Sequence, residues 1–374
     1  MNKNENFEKL FETDILTKRE RVERILNHQP VDRAALHEQL SLNPGVIELY
    51  TGKKTDGFNY TLDDIGTTVR KTLDMCFRIR APIGTEKYTD PDGFVFKNDN
   101  WTTWHVGRPF NDAEGAKAWL EKRTKAILET DFDPKMEKEK YKKEMSDMQK
   151  IVGETVIIDC STTGMCSAFD LMGLEIFTFF YYDYPEVMTA YMEASVGLEV
   201  KRIHAVADTQ LSPVVLIAED FSTKQGPIFG PEFLELQHYP YVRRVSDAWH
   251  SHGYKVLYHS DGNYKKVIPD LMKTGVDGFY CLEPNCGMMI VELKKQWPEM
   301  VWAGGVDGVE LMEYGNPEDV RKEVRRHIIE TGVLQTGGMF VATSSEINPP
   351  IKPENFKAMV DTVGEIINPD FRVM

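Results

Sequence analysis

The residues best suited to chemistry stand directly after short apolar runs. The run 214–218 is followed by Glu219 and Asp220, and the run 255–258 by His259, Ser260, Asp261 and Gly262. The run 277–282 carries Cys281 and ends at Glu283, 301–306 ends at Asp307, and an earlier run near the amino terminus ends at His37 and Glu38. If such runs are neighbouring parallel strands, several carboxylates and an imidazole converge on one mouth. Like charges gathered there are costly unless protons or a cation offset them. A metal ion is one solution, since imidazole and carboxylate are ordinary zinc ligands and zinc often keeps a position open for substrate. His259 and Asp261 suit this role, because residues i and i+2 at a strand end project to the same side. The expected catalytic core is His259, Asp261 and Glu219, which is also the expected zinc-ligand set. Asp220, Glu283, Asp307 and His37 are expected to face the substrate. Without zinc, a protonated His259 oriented by Asp261 can serve as the acid.

Plainer readings compete. Asp and Glu after barrel strands often cap the next helix, and Asp261-Gly262-Asn263 is also turn chemistry. For Asp307-Gly308 the turn reading is the stronger. Cys281 and Cys286 bracket Leu282-Glu283-Pro284-Asn285, which is not a usual zinc spacing, and Cys76, Cys160 and Cys166 read as small buried residues.

The elements that must position these groups alternate. Helical patterns lie between the runs at 264–274, stopping at Gly275, at 288–296, and at 317–331, stopping at Gly332. Strand, polar turn, helix, glycine, strand is the βαβ rhythm, and near-continuous apolar strands imply a sheet buried on both faces. With 333–340 as the last of the series, the carboxyl half favours a barrel or a doubly wound sheet. No G-x-G-x-x-G and no P-loop is present, which favours the barrel. In the amino half, 34–38 reads as the first barrel strand and 155–159 as the second. Between them, 88–106 with its Asp90-Pro91-Asp92-Gly93 turn reads as a β-meander, and the charged stretch 112–150 as solvated helix. The ring-rich stretch 177–184 reads as a helix packing on the barrel, with the alternative that one ring lines an aromatic pocket. The expected fold is α/β, a (β/α)8 TIM-type barrel forming one domain over 1–374, with an amino-terminal helical and β-meander elaboration at about 40–150. Catalytic groups of such barrels sit at the carboxyl ends of the strands.

Composition limits the partners. The 374 residues carry 44 Lys plus Arg against 59 Asp plus Glu, a net charge of -15. That surplus repels phosphate backbones, and no basic stripe offsets it, so nucleic acid is not an expected partner. No apolar run reaches the about 18 residues of a spanning helix, so no membrane is expected either. The polar start 1–6 and an odd count of five cysteines fit reduced thiols and a cytoplasmic setting.

The short motifs also carry a family resemblance. Glu20-Arg21-Val22 with Leu26, then Val31-Asp32-Arg33, resembles the opening of the uroporphyrinogen decarboxylase superfamily. Glu219-Asp220-Phe221 to Gly230-Pro231, His259-Ser260-Asp261-Gly262, Gly275-Val276-Asp277, Gly304-Gly305-Val306-Asp307 and Pro353-Glu354-Asn355 continue it over nearly the whole chain. The resemblance implies the same barrel. One branch decarboxylates uroporphyrinogen and carries an Arg-Gln-Ala-Gly-Arg signature at the first strand end. Here that region reads His37-Glu38-Gln39-Leu40-Ser41-Leu42-Asn43-Pro44, which lacks the arginine clamp. The other branch comprises zinc methyltransferases working with a corrinoid protein, with a His-x-Cys motif and a later Cys. His259 matches that His, Asp261 stands at the Cys, and Ala342-Thr343-Ser344-Ser345-Glu346 holds no Cys. Oxygen donors thus replace thiolates.

The resemblance therefore implies a corrinoid-protein-dependent methyltransferase, a demethylase of a small methyl donor such as a methoxylated aromatic. Zinc and a corrinoid carried by a partner protein are the implied cofactors, and a homodimer is compatible. The alternatives are a decarboxylase of a small carboxylic acid and a non-catalytic binding barrel, since a fold does not prove catalysis.

Overall fold

The computed structural model describes residues 7–40 and 43–372. The polar start 1–6, together with Ser41 and Leu42 of the run after the first strand, lies outside the described residues.

Eight strands close into a parallel barrel in simple chain order. They are β1 (Ala35–Glu38), β2 (Met75–Phe77), β3 (Val156–Ser161), β4 (Val214–Ala218), β5 (Lys255–His259), β6 (Gly278–Tyr280), β7 (Val301–Val306) and β8 (Met339–Thr343). β1 pairs with both β2 and β8, which closes the ring. Every residue of β7 and β8 is buried, as the unbroken apolar runs required. Helices return the chain between strands. Pro317–Thr331 starts on Asn316, whose side chain accepts from the Glu318 and Asp319 amides, and stops at Gly332 in the left-handed region.

Two details of the expected strand order are corrected. The barrel has a strand at 75–77 that the patterning missed, so 155–159 belongs to the third strand, not the second. Three residues are too few to show a period, and β2 follows a polar helix (Leu62–Thr72) directly. The run 333–340 is not one strand: Val333–Thr336 is a helical turn and β8 begins at Met339. Gly337 and Gly338 separate them with φ of 59° and 69°, where a side chain is strained.

Between β2 and β3 lies the expected meander, Lys87–Thr89, Val95–Asp99 and Thr102–Gly107, antiparallel throughout. Its first turn is held by Asp90, whose Oδ1 accepts from the amides of Asp92 and Phe94 at 3.0 and 2.8 Å. Two helices follow, Ala113–Leu128 and Pro134–Val152. The ring-rich stretch forms Leu174–Asp183, which buries Phe177 and Phe180 in the core and leaves Phe179 and Tyr182 exposed.

The amino ends of the strands are closed by buried charges. Arg33 precedes β1 and Asp74 precedes β2. Arg21 reaches Asp32 at 2.7 Å and Asp74 at 2.8 Å, while Arg33 reaches Asp14 at 2.6 Å and Asp74 at 2.7 Å. All five side chains are buried. The charged residues of the opening motif are therefore architectural, and the chemistry lies at the other end.

Candidate active site

Strand register builds the site. Ala218 of β4 lies opposite His259 of β5, and His259 opposite Tyr280 of β6. These three residues form one row at the carboxyl ends of the strands. Alternation sends Asp220 and Asp261, two residues beyond the row, to the same side as Ala218 and His259. Gly262 fixes the turn after Asp261. Its φ is +76°, and a Cβ there would lie 2.7 Å from the carbonyl oxygens of Ser222 and Thr223, so only glycine fits beneath those carbonyls.

His259 Nδ1 lies 3.1 Å from Asp220 Oδ1, and Nε2 lies 3.9 Å from Asp261 Oδ1. The Nδ1 contact lacks the alignment of a hydrogen bond, so Nδ1 has no well-directed partner. Asp220 Oδ1 also accepts from the Asp261 amide at 3.0 Å, which ties the two turns together. Burial works against charge on His259, but Asp220, then Asp261 and Glu346, outweigh it and raise its pKa. Burial pushes the Asp220 carboxyl up, yet the adjacent imidazole brings it below its ordinary range. Asp261 goes the other way: burial, reinforced by Asp220, Glu283 and Glu346 against the pull of His259, pushes it up to about 6.

Glu219, expected among the catalytic groups and ligands, faces the opposite way and is fully buried. Its carboxylate accepts from Thr163 N at 2.6 Å, Thr163 Oγ1 at 2.7 Å, Thr162 Oγ1 at 3.0 Å and Cys166 N at 2.9 Å. It fastens the loop after β3 to the start of helix Met165–Met172, and Asp220 stands beside His259 in its place. A one-residue step along a strand reverses the face, and the run 214–218 left that phase open. Asp307 is a turn residue: its Oδ1 accepts from Val309 N at 2.9 Å and Glu310 N at 2.7 Å. His37 is sealed below the floor, its ring 5.2 Å from Phe77 and 5.1 Å from Tyr280. Burial lowers its pKa to about 4, so it is neutral and is not part of the cavity surface. Glu283 follows β6 and takes Cys286 Sγ at 2.7 Å, with an oxygen in reach of Asp261 and Cys281.

The row opens into a cavity of about 530 Å³. Asp220, His259 and Asp261 form one wall, and Glu346 comes from the β8 side. Phe77, Ile79, Leu216 and Tyr280 give it apolar surface. The wall from β2 holds Arg78 and Arg80, which sequence reasoning missed along with β2 itself. The signal was present, since Arg78-Ile79-Arg80 repeats the i, i+2 spacing of His259 and Asp261. Arg78 is paired to Asp159 at 3.0 Å and Glu144 at 3.3 Å. Cys160, expected to be buried, is exposed on this cavity, while Cys76 and Cys166 are buried as expected.

Ligand atoms of Asp220, His259 and Asp261 all lie within 4.8 Å of one another. One nitrogen and two carboxylates, with Nδ1 undirected and one side open to the cavity, fit a divalent cation such as zinc. The residues that would hold it are Asp220, His259 and Asp261, with Glu219 excluded by its four hydrogen bonds.

The chain belongs to the uroporphyrinogen decarboxylase (URO-D) family, whose model matches residues 148–366, more than half of its length. That stretch runs from before β3 through β8 and holds Asp220, His259 and Asp261. Family membership supports an enzyme. Among solved structures, a methyltransferase from Methanosarcina mazei has the same fold, with a TM-score of 0.64 and 15% identity, over 94% of this chain and 99% of that one. No curated protein sequence matches the chain. Among the described residues no helix is long and apolar enough to cross a membrane.

Proposed function

We propose that this protein is a methyltransferase that removes the methyl group from a small methylated substrate and passes it to a corrinoid carried by a partner protein. The observation that carries the reading is the Asp220–His259–Asp261 cluster at the edge of an open cavity. Demethylating an ether requires charge to be stabilised on the oxygen that the methyl leaves. His259, whose pKa the neighbouring carboxylates raise, can place a proton on that oxygen. Asp220 keeps the ring in place, and Asp261 stands on the other ring nitrogen. A cation held by the same three residues would supply Lewis-acid stabilisation of that oxygen. The corrinoid supplies the methyl acceptor when its carrier docks at the mouth. The likeness in fold to a methyltransferase and the missing arginine clamp after β1 support this branch over porphyrin decarboxylation. The mouth is not blocked by side chains, the arrangement that would have favoured a non-catalytic binding barrel.

One observation favours the runner-up, a decarboxylase of a small acid: Arg78 and Arg80 bring positive charge into the cavity. A single experiment separates the two. The purified protein is incubated with methoxylated and carboxylated aromatics, with and without reduced corrinoid, and both methylated corrinoid and released carbon dioxide are measured. Methyl transfer that disappears in His259→Ala upholds the proposal, and carbon dioxide release without methyl transfer overturns it.

A further inference from the structure

The cavity is polarised across its width. The β4–β5 wall carries Asp220, His259 and Asp261, and the β2 wall carries Arg78 and Arg80, with apolar surface from Phe77, Ile79, Leu216 and Tyr280. The two arginines are not equivalent. Arg78 is paired with Asp159 and Glu144 and stacks over Tyr141 at 5.2 Å. Arg80 donates from Nη2 to the Trp101 carbonyl at 2.8 Å, and among the described residues it makes no carboxylate contact within 4.0 Å, although Glu346 is near enough to feel its charge. It is thus a cation facing a cavity with most of its donor fork unused. A guanidinium has five donors in a planar fork that matches a carboxylate.

Arg78 is matched by Asp159 and His259 by Asp220, which leaves Arg80 against Asp261 and Glu346 on the cavity surface. A divalent cation ligated by His259 would displace its proton, so the net gain of one charge would cancel this surplus. We infer that Arg80 is the specificity-determining anchor for a carboxylate on the substrate, whose flat apolar body crosses to present its methyl-bearing atom at His259. A phosphate dianion fits less well, because Asp261 and Glu346 face the same space. The orientation rests on the methyl-transfer reading, whereas anchoring by Arg80 is tested without it.

The test is binding, measured by titration calorimetry on the full chain with para-methoxybenzoate, benzoate and the methyl ester of para-methoxybenzoate. Both acids should bind, and para-methoxybenzoate at least about 10-fold more tightly than its ester, since a charge-assisted fork is lost in the ester. Arg80→Gln should weaken both acids about 10- to 100-fold and leave the ester unchanged, while Arg80→Lys should fall between. An unchanged ester shows that the cavity is intact in the variant, so a folding defect cannot mimic the result. Equal binding of acid and ester, no binding of either, or equal losses in Arg80→Gln would overturn the inference. Binding of the acids through Arg80 with no methyl transfer would uphold the anchor and refute the methyltransferase reading.

Discussion

Asp74→Asn removes one charge from the buried cluster at the amino ends of the strands while keeping the shape of the side chain. Asp74 Oδ1 accepts from Arg21 Nη1 at 2.8 Å and Arg33 Nη2 at 3.0 Å, and Oδ2 accepts from Arg33 Nη1 at 2.7 Å and Leu36 N at 2.8 Å. Either orientation of the amide turns its NH2 toward two of these donors. Burial alone would raise the carboxyl of Asp74, but Arg33 and then Arg21 overcome it and hold it at about 2, against an ordinary 3.8. By linkage, that difference makes its ionisation worth on the order of 2 kcal/mol to the folded state. The variant also leaves two guanidiniums short of a buried counter-charge, so the expected total loss is about 3–5 kcal/mol. A depressed carboxyl stabilises above its unfolded value and ceases to do so as pH falls through its folded one. The gap between the two proteins should therefore be full at neutral pH and narrow as pH falls from about 4 to about 2. Urea unfolding followed by tryptophan fluorescence measures this, read from midpoints at constant slope. A loss below about 1 kcal/mol at neutral pH, the range of an exposed pair, would refute the account of a buried, mutually dependent cluster. So would a gap that does not narrow in acid.

The other predictions concern the mouth. His259→Ala should lower turnover by about 10²- to 10⁴-fold with an unchanged unfolding midpoint, a contrast read from rate and melt on one preparation. Asp220→Asn and Glu219→Gln should separate: the first loses activity at nearly full stability, whereas the second loses about 1–3 kcal/mol because its new NH2 meets a donor. If Glu219→Gln is as stable as wild type yet inactive, Glu219 belongs to the chemistry after all. Titrating zinc into chelator-treated protein should give one site that weakens at least about 10-fold in Asp261→Asn and in His259→Ala. Equal zinc affinity in wild type and both variants would exclude this ligand set.

The carboxyl half was legible because its strands are apolar without interruption and end at titratable residues. That placed Asp220, His259, Asp261 and Glu283 at one end. What the runs could not convey was phase. Whether Glu219 or Asp220 faces the cavity depends on one residue of register against β5, which periodicity over a fully buried strand does not encode. β2 was invisible because three residues show no pattern, and Arg78 and Arg80 were lost with it. His37 shows the opposite failure: a polar residue at a strand end looked accessible, but the large rings of Phe77 and Tyr280 close over it. The buried charges at 14–33 and 74 could not be read as interior, since their partners lie about the barrel base and far apart in the chain.

The closure of the barrel base by ion pairs has a consequence for how this scaffold tolerates change. The charged residues that secure the strands stand before β1 and β2, while the reactive groups stand at the carboxyl ends of β4, β5 and β6 and on the turns that follow. Alterations to the reactive face need not disturb the fastening at the opposite face, so the two can vary on separate schedules. A chain arranged in this way can be given a new substrate by rewriting a few loop positions, with the foldability of the whole left in reserve.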